Sequence, residues 1–300
     1  MTAELEPSNP PIVPASVIEE HREQIDSGTV IVADVRWALG GPASAATFRD
    51  EYADGHIPGA IFVDVDEDLS DHMRDGAGRH PMPDEDTFGE TLSRLGITLD
   101  STVLAYGTGD PAGAARFVLM LRISGVNASL IDGGLPAYQR LHPEIPLETG
   151  ENHLPRTDFG FQPMTRLVSI DEVAHAIPTR GALLVDARAR ERFRGDSEPI
   201  DPRPGHIPGA VNVPYTSHLA EDGTFRSADE IRDAFAAAGA TTERIAFNYC
   251  GSGVSAAVNV LAMDHAGFRH VYLFPGSYSQ WSADPQRPVE TGDSGEHRAP

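Results

Sequence analysis

Short apolar runs recur along the chain and alternate with longer stretches patterned at helical spacing. In the second half the runs are ALLVDA (182–187), AVNVPY (210–215), RIAFNYC (244–250) and HVYLF (270–274), several of them apolar on both faces. Between them, residues 227–240 (SADEIRDAFAAAGA) predict a helix, with Ser227 as N-cap, Glu230 three residues on and Gly239 near the end. A second helix is predicted over 254–266, apolar at Val254, Val258, Leu261 and Met263 and stopped by Gly267. Strands buried on both faces and alternating with helices imply a parallel sheet flanked by helices, in which ligands bind beyond the carboxyl ends of the strands.

The same pattern occurs twice. VIVADVRWALGG (30–41) resembles ALLVDARARERF (182–193), and DGHIPGAIFVDV (54–65) resembles PGHIPGAVNVPY (204–215). STVLAYGTGDPAGAARFVLMLRISGV matches ERIAFNYCGSGVSAAVNVLAMDHAGF, and ASLIDGGLPAYQ pairs with VYLFPGSYSQW. Four matches in one order point to a duplicated domain. The expected boundaries are 15–142 and 165–285, with the Pro- and Glu-bearing stretch 143–164 as linker. The lead-in up to about Pro14 and the acidic tail after Pro285 are expected to be loosely held.

Composition narrows the function. The 300 residues carry a net charge of −22, and every basic residue is an arginine. Such a surface repels phosphate backbones and anionic membranes, so neither nucleic acid nor membrane is an expected partner. No apolar run approaches the roughly 20 residues needed to cross a bilayer, and no secretory leader is visible, so the expected location is cytoplasmic. A single cysteine, Cys250, excludes an internal disulfide framework and any CxxC site.

A lone cysteine is more often a small buried hydrophobe than a nucleophile, but the context of Cys250 changes that reading. In FNYCGSGVSAAV it directly follows a strand and precedes a helix, with Gly251 and Gly253 letting the backbone turn so that N–H groups gather around the sulfur. The dipole of the following helix adds to this, and together they favour a thiolate and would hold a persulfide anion.

The loop CGSGVSA (Cys250, Gly251, Ser252, Gly253, Val254, Ser255), the paired GHIPGA elements and the DxR motifs resemble the rhodanese family, most closely its tandem-domain mercaptopyruvate and thiosulfate sulfurtransferases. The resemblance covers about 15–285. It implies two rhodanese-like α/β domains, an inactive first and a catalytic second, and a persulfide carried on Cys250 without metal or organic cofactor. It agrees with the lack of a cysteine near Gly107, the position matching Cys250. The neutral Gly251-Ser252 pair is similar to members that prefer 3-mercaptopyruvate, where thiosulfate-preferring members carry basic side chains. Ser255 replaces the usual threonine and keeps its hydroxyl.

The resemblance further implies that Arg192 binds the anionic end of the sulfur donor, a task for a permanently charged, bidentate guanidinium. Arg203 is its expected partner, although it lies eleven residues from Arg192, two more than the pattern. Asp66 and His80 match residues that would join Ser252 in a Ser-His-Asp relay. Arg188, His56 and His206 have counterparts or copies in both halves and read as structural. The expected partners are a small anionic donor and a thiol acceptor, such as thioredoxin or a low-molecular-weight thiol, and the expected state is a monomer.

Two rival functions are weaker. A related cysteine phosphatase loop needs an arginine six residues after the nucleophile, where this chain has Ala256. A non-catalytic interaction module would have no use for the intact cysteine loop, and the first half shows what loss of that loop looks like.

Overall fold

The computed structural model describes residues 9–39 and 45–293. Its chain divides into two compact units. The first comprises the chain up to Ser70, Pro83–Thr165 and Glu221–Phe225; the second comprises Asp71–Met82, Arg166–Ala220 and the chain from Arg226 onward. Segment 71–82, from the first half of the sequence, therefore packs with the second unit.

The first unit holds β1 (Ile12–Val13), β2 (Val30–Arg36), β3 (Ile61–Asp64), β4 (Thr102–Tyr106) and β5 (Asn127–Ile131), in the order β1-β5-β4-β2-β3. The second holds β6 (Leu183–Asp186), β7 (Val211–Asn212), β8 (Ala246–Tyr249) and β9 (Val271–Leu273), in the order β7-β6-β8-β9. Every strand pairing is parallel. A bridge from Leu167 to Leu273 stands where β1 meets β5 in the first unit, so the fifth strand of the second unit is reduced to one contact. β2 is buried at all seven positions, as expected for a sheet covered on both faces.

Both helices predicted around the cysteine form. Ala228–Ala237 begins at a capping box in which Ser227 accepts the Glu230 N–H and the Glu230 carboxylate accepts that of Ser227. Ala256–His265 is buried along most of its length, which suits a helix apolar on all sides.

The paired motifs brace each sheet. Arg36 donates to both carboxylate oxygens of Asp34 at 3.0 and 2.9 Å, and Arg188 grips Asp186 in the same way. His56 stacks on Tyr52 and His206 on Phe193, and each ring lies 2.8 Å from the carbonyl of its stacking partner. These contacts give the repeated DxR and GHIPGA motifs their structural role.

Two expectations about the chain's ends change. Ile12 and Val13 pair with β5 rather than trailing loosely; residues 1–8 lie outside the described residues, as do 40–44, where the first repeated segment ends. The stretch after Pro285 is packed as far as Asp293. Glu290 bridges His206, Trp281 Nε1 donates to the Pro288 carbonyl, and Asp293 pairs with Arg190 and Arg194. In the first unit Glu148 bridges His56 in the same way. Glu148 Oε2 accepts the Gly59 N–H as Glu290 Oε2 accepts that of Gly209. The matching strings PLETG (146–150) and PVETG (288–292) form a further repeated element.

Candidate active site

Cys250 follows β8 directly, at the carboxyl end of a central strand of the second unit, and only 1% of its surface is exposed. Its sulfur accepts the Gly253 N–H at 3.1 Å, so the loop folds back over the thiol. Gly253 has φ +78, and a β-carbon there would lie 2.3 Å from the Pro275 carbonyl oxygen, which makes glycine obligatory at the turn. Val254 is fully buried and anchors the loop, while Ser255 takes the N-cap position of Ala256–His265.

The strand end is tied to a second turn. The Cys250 N–H donates to Ser277 Oγ at 3.1 Å, and Ser277 Oγ donates to the Phe274 carbonyl at 2.9 Å. The Tyr278 and Ser279 N–H groups donate to the Cys250 and Gly251 carbonyls. Ser277 is fully buried and holds φ +52, a left-handed conformation that costs a non-glycine residue roughly 1–2 kcal/mol. That strain puts a hydroxyl on the backbone of the candidate nucleophile.

The face of Gly251 looks at two guanidinium groups. A β-carbon at Gly251 would lie 2.7 Å from Arg79 Nη2 and 3.5 Å from Arg192 Nη1. Arg192 is held from behind: Nη2 donates to Glu198 Oε1 at 2.8 Å and to Asp201 Oδ2 at 2.9 Å. Asp201 also pairs with Arg79 Nη1, so one buried carboxylate bridges both arginines. Burial pushes the Asp201 carboxyl above its usual range against the pull of Arg79. Burial pushes the same way on Glu198, but the hydrogen bonds and charge of Arg192, together with the Asp201 and Ile200 N–H groups, outweigh it and leave that group below its usual range. Arg79 Nη2 is buried and has no hydrogen-bond partner among the described residues, leaving a donor aimed at the loop.

Ser252 is nearly buried, and its Oγ lies 2.7 Å from His80 Nδ1. His80 and Arg79 both come from segment 71–82, which belongs to this unit. Asp66 belongs to the first unit, in the turn after β3, with its N–H donated to Asp64 Oδ1.

Arg203 has a different job from the one expected. Its Nε donates to the Ser282 carbonyl, Nη1 to that of Arg287, and Nη2 to those of Asp284 and Trp281. A cation on the last carbonyls of a helix is a C-terminal cap, and here it fixes Ser277–Ala283 and the segment after it. Nine residues from Arg192, at the spacing expected of a second arginine, stands Asp201. The second guanidinium is supplied by Arg79.

Arg79 and Asp201 are site residues that sequence reading misses, as are Glu198 and Ser277. The adjacency of Arg79 to His80 in GRHPMP was the available signal, and the irregular stretch before it hid the alignment. Nothing in the spacing of Asp201 announces a carboxylate between two arginines.

A rhodanese-like domain is matched twice, over residues 17–141 and 169–284. The chain is 41% identical over 266 residues to a Mycobacterium tuberculosis protein with the provisional name thiosulfate sulfurtransferase SseB, covering 88% of this chain and 91% of that one. It is 36% identical over 275 residues to the 3-mercaptopyruvate sulfurtransferase of Escherichia coli K12, covering 89% and 94%. The crystal structure of SseA from Escherichia coli, a 3-mercaptopyruvate sulfurtransferase, superposes with a TM-score of 0.77 at 34% identity, covering 90% of this chain and all of that one. The chain belongs to the rhodanese-like family, as a sulfurtransferase built from two rhodanese-like domains.

Proposed function

We propose that this protein moves sulfur from 3-mercaptopyruvate to a thiol acceptor through a persulfide on Cys250. The observation that carries the reading is the convergence on one loop of a thiol, a hydroxyl–imidazole pair and two guanidinium groups. Arg192 Nη1 and Arg79 Nη2 bind the donor's carboxylate. The Cys250 thiolate attacks the donor sulfur, forming the S–S bond as the C–S bond breaks. The electron pair leaves with the carbon as the pyruvate enolate, which takes a proton relayed through Ser252 and His80. A thiolate acceptor then attacks the outer sulfur and releases Cys250, dividing one difficult transfer into two easier ones. Asp66 is the third relay member in the pattern this chain resembles, and Asp66→Asn tests it by the pH dependence of turnover.

The Mycobacterium relative's name raises thiosulfate as the alternative donor. The charges around the loop favour a monoanion, because the Glu198 and Asp201 carboxylates offset the charges of Arg192 and Arg79. A compact dianion would need the basic loop side chains that Gly251 and Ser252 do not provide. The kcat/KM ratio for mercaptopyruvate over thiosulfate is expected to exceed one, and a ratio below one assigns thiosulfate as donor. After incubation with mercaptopyruvate, mass spectrometry should show one added sulfur atom on the wild type and none on Cys250→Ser. Sulfur on both would overturn the persulfide.

A further inference from the structure

The duplication gives each unit a groove beside its edge strand, and the two grooves differ in what covers them. In the first unit the chain leaves the Glu148 bridge and crosses the end of helix Glu85–Arg94. There the Thr157 N–H donates to the Ser93 carbonyl at 2.9 Å and the Phe159 N–H to Ser93 Oγ at 3.0 Å. Leu154 packs onto the helix end so closely that a β-carbon at Gly96 would lie 2.5 Å from its own. What remains open is a cavity of about 260 Å³, lined in part by Leu95, Leu154 and the edge residues Ile61 and Phe62.

The second unit repeats the geometry as far as Asp293. Glu290 makes the same bridge, and the Gly292 N–H donates to the Arg194 carbonyl as that of Gly150 does to Ala53. Gly239 takes the place of Gly96, also with positive φ, but a β-carbon there would meet only Arg244 Nη1, at 3.5 Å. Among the described residues the groove is open, at about 750 Å³, and apolar along Ala182, Leu183, Ala210, Val211 and Ala238. Arg180 and Arg244 line it, both exposed, and no carboxylate among the described residues pairs with either. The two carboxylates that also line it are engaged elsewhere, Glu290 with the Gly209 N–H and Asp293 with Arg190 and Arg194.

We infer that this groove of the second unit is a docking site for an extended, acidic segment of a partner protein that carries a leucine-sized side chain followed by proline. The first unit supplies the template, since Leu154-Pro155 is the segment the same groove accepts there. The arginines supply the charge preference. A leucine-sized side chain buried against Gly239 and Ala238 would contribute roughly as Leu154 does, and the segment's main chain can hydrogen-bond the end of helix Ala228–Ala237 as that of Thr157 bonds Ser93. Arg244 precedes β8 and Cys250 follows it, so the site opens at the opposite end of that strand from the candidate nucleophile. A partner held there leaves the sulfur chemistry untouched.

The test uses a fluorescent peptide, ENHLPRTDFG, which reproduces residues 151–160, titrated into the full protein and followed by anisotropy. Saturable binding is expected. Ala238→Trp, which fills the seat, should weaken it at least about tenfold, as should aspartate in place of the peptide's leucine. A peptide with glutamate in place of its arginine should bind the wild type more tightly and lose that gain on Arg244→Glu. Mercaptopyruvate turnover of Ala238→Trp should stay at the wild-type level, showing an intact fold. No saturable binding, or binding indifferent to both the filled seat and the peptide's leucine, overturns the inference. Binding only after removal of residues 294–300 would assign the groove to the chain's own end and overturn it equally.

Discussion

Gly107 in the first unit and Cys250 in the second end the same strand, and each carbonyl accepts an N–H from the matching turn, Leu135 in one and Tyr278 in the other. Their surroundings differ. A β-carbon at Gly107 would lie 2.4 Å from the Asp110 carbonyl, so that loop closes on itself and leaves no room for a side chain. The Cys250 loop instead turns its sulfur toward the Gly253 N–H and shows the Gly251 face to Arg79 and Arg192. The matching turn holds Gly134 at φ +54 in the first unit and Ser277 at φ +52 in the second. Duplication thus separates what the fold needs, kept in both units, from what the chemistry needs, kept in one.

The strongest way to break this comparison is to move the thiol. Gly107→Cys in a Cys250→Ser background is expected to take up no sulfur from mercaptopyruvate, because the Asp110 carbonyl leaves that loop no room for a side chain. One added sulfur atom by mass spectrometry would show that strand, turn and helix suffice. Next in size is the arginine pair. Arg79→Gln should lower kcat/KM for mercaptopyruvate about 10- to 100-fold, the range for a lost charge-assisted hydrogen bond. KM should carry most of the loss, and Arg79→Lys should restore part of it. Arg203→Gln, by contrast, should lower Tm and leave KM near wild type, since that side chain is spent on carbonyls.

Acid should separate the units. At matching helical positions the first unit buries Arg116, which donates to the Leu69 carbonyl, and the second buries Asn259, 3.2 Å from His218 Nε2. His218 is fully buried against Phe235, and burial lowers its pKa to about 4 from an ordinary 6.5. A histidine depressed in the folded state gives stability that is whole above pH 6.5 and is lost as pH falls toward 4, because the unfolded chain binds the proton first. The full loss is about 3 kcal/mol. Trp281 belongs to the second unit and Trp37 to the first, so single-tryptophan variants followed in urea can report each separately. Between pH 7 and 4.5 the Trp281 midpoint should fall further than that of Trp37. Equal shifts would mean that His218 does not set the difference.

Much of this was legible in the sequence because the duplication repeats every local signal. The Ser227–Glu230 capping box, the largely apolar helix after Cys250 and the DxR and GHIPGA braces each follow from neighbouring residues, and periodicity finds such features. Arg79 and Asp201 were not legible. One arrives on a segment that crosses from the first half of the sequence into the second unit, and the other is a carboxylate where the pattern led to an arginine. Long-range placement of a side chain leaves no local trace. The PLETG and PVETG pair was visible, but the prolines and charges around it read as linker and tail, which concealed a repeated bridge.

The smallest expected effect gives the finest test of the comparison. Ser277→Gly makes the turn of the second unit like Gly134 of the first. It relieves the left-handed strain and removes the hydroxyl that accepts the Cys250 N–H. Strain relief and the lost hydrogen bond are each about 1 kcal/mol, so stability should change by less than that. Ser277→Ala removes the same hydroxyl but keeps a β-carbon at positive φ, so it should be less stable than Ser277→Gly by roughly 1 kcal/mol or more. If Ser277 positions the nucleophile, both variants should slow persulfide formation by a similar factor of about three to ten, whatever their stabilities. Rates that instead follow the two stabilities would make Ser277 a feature of the turn alone, and the serine would then join the braces that both units share.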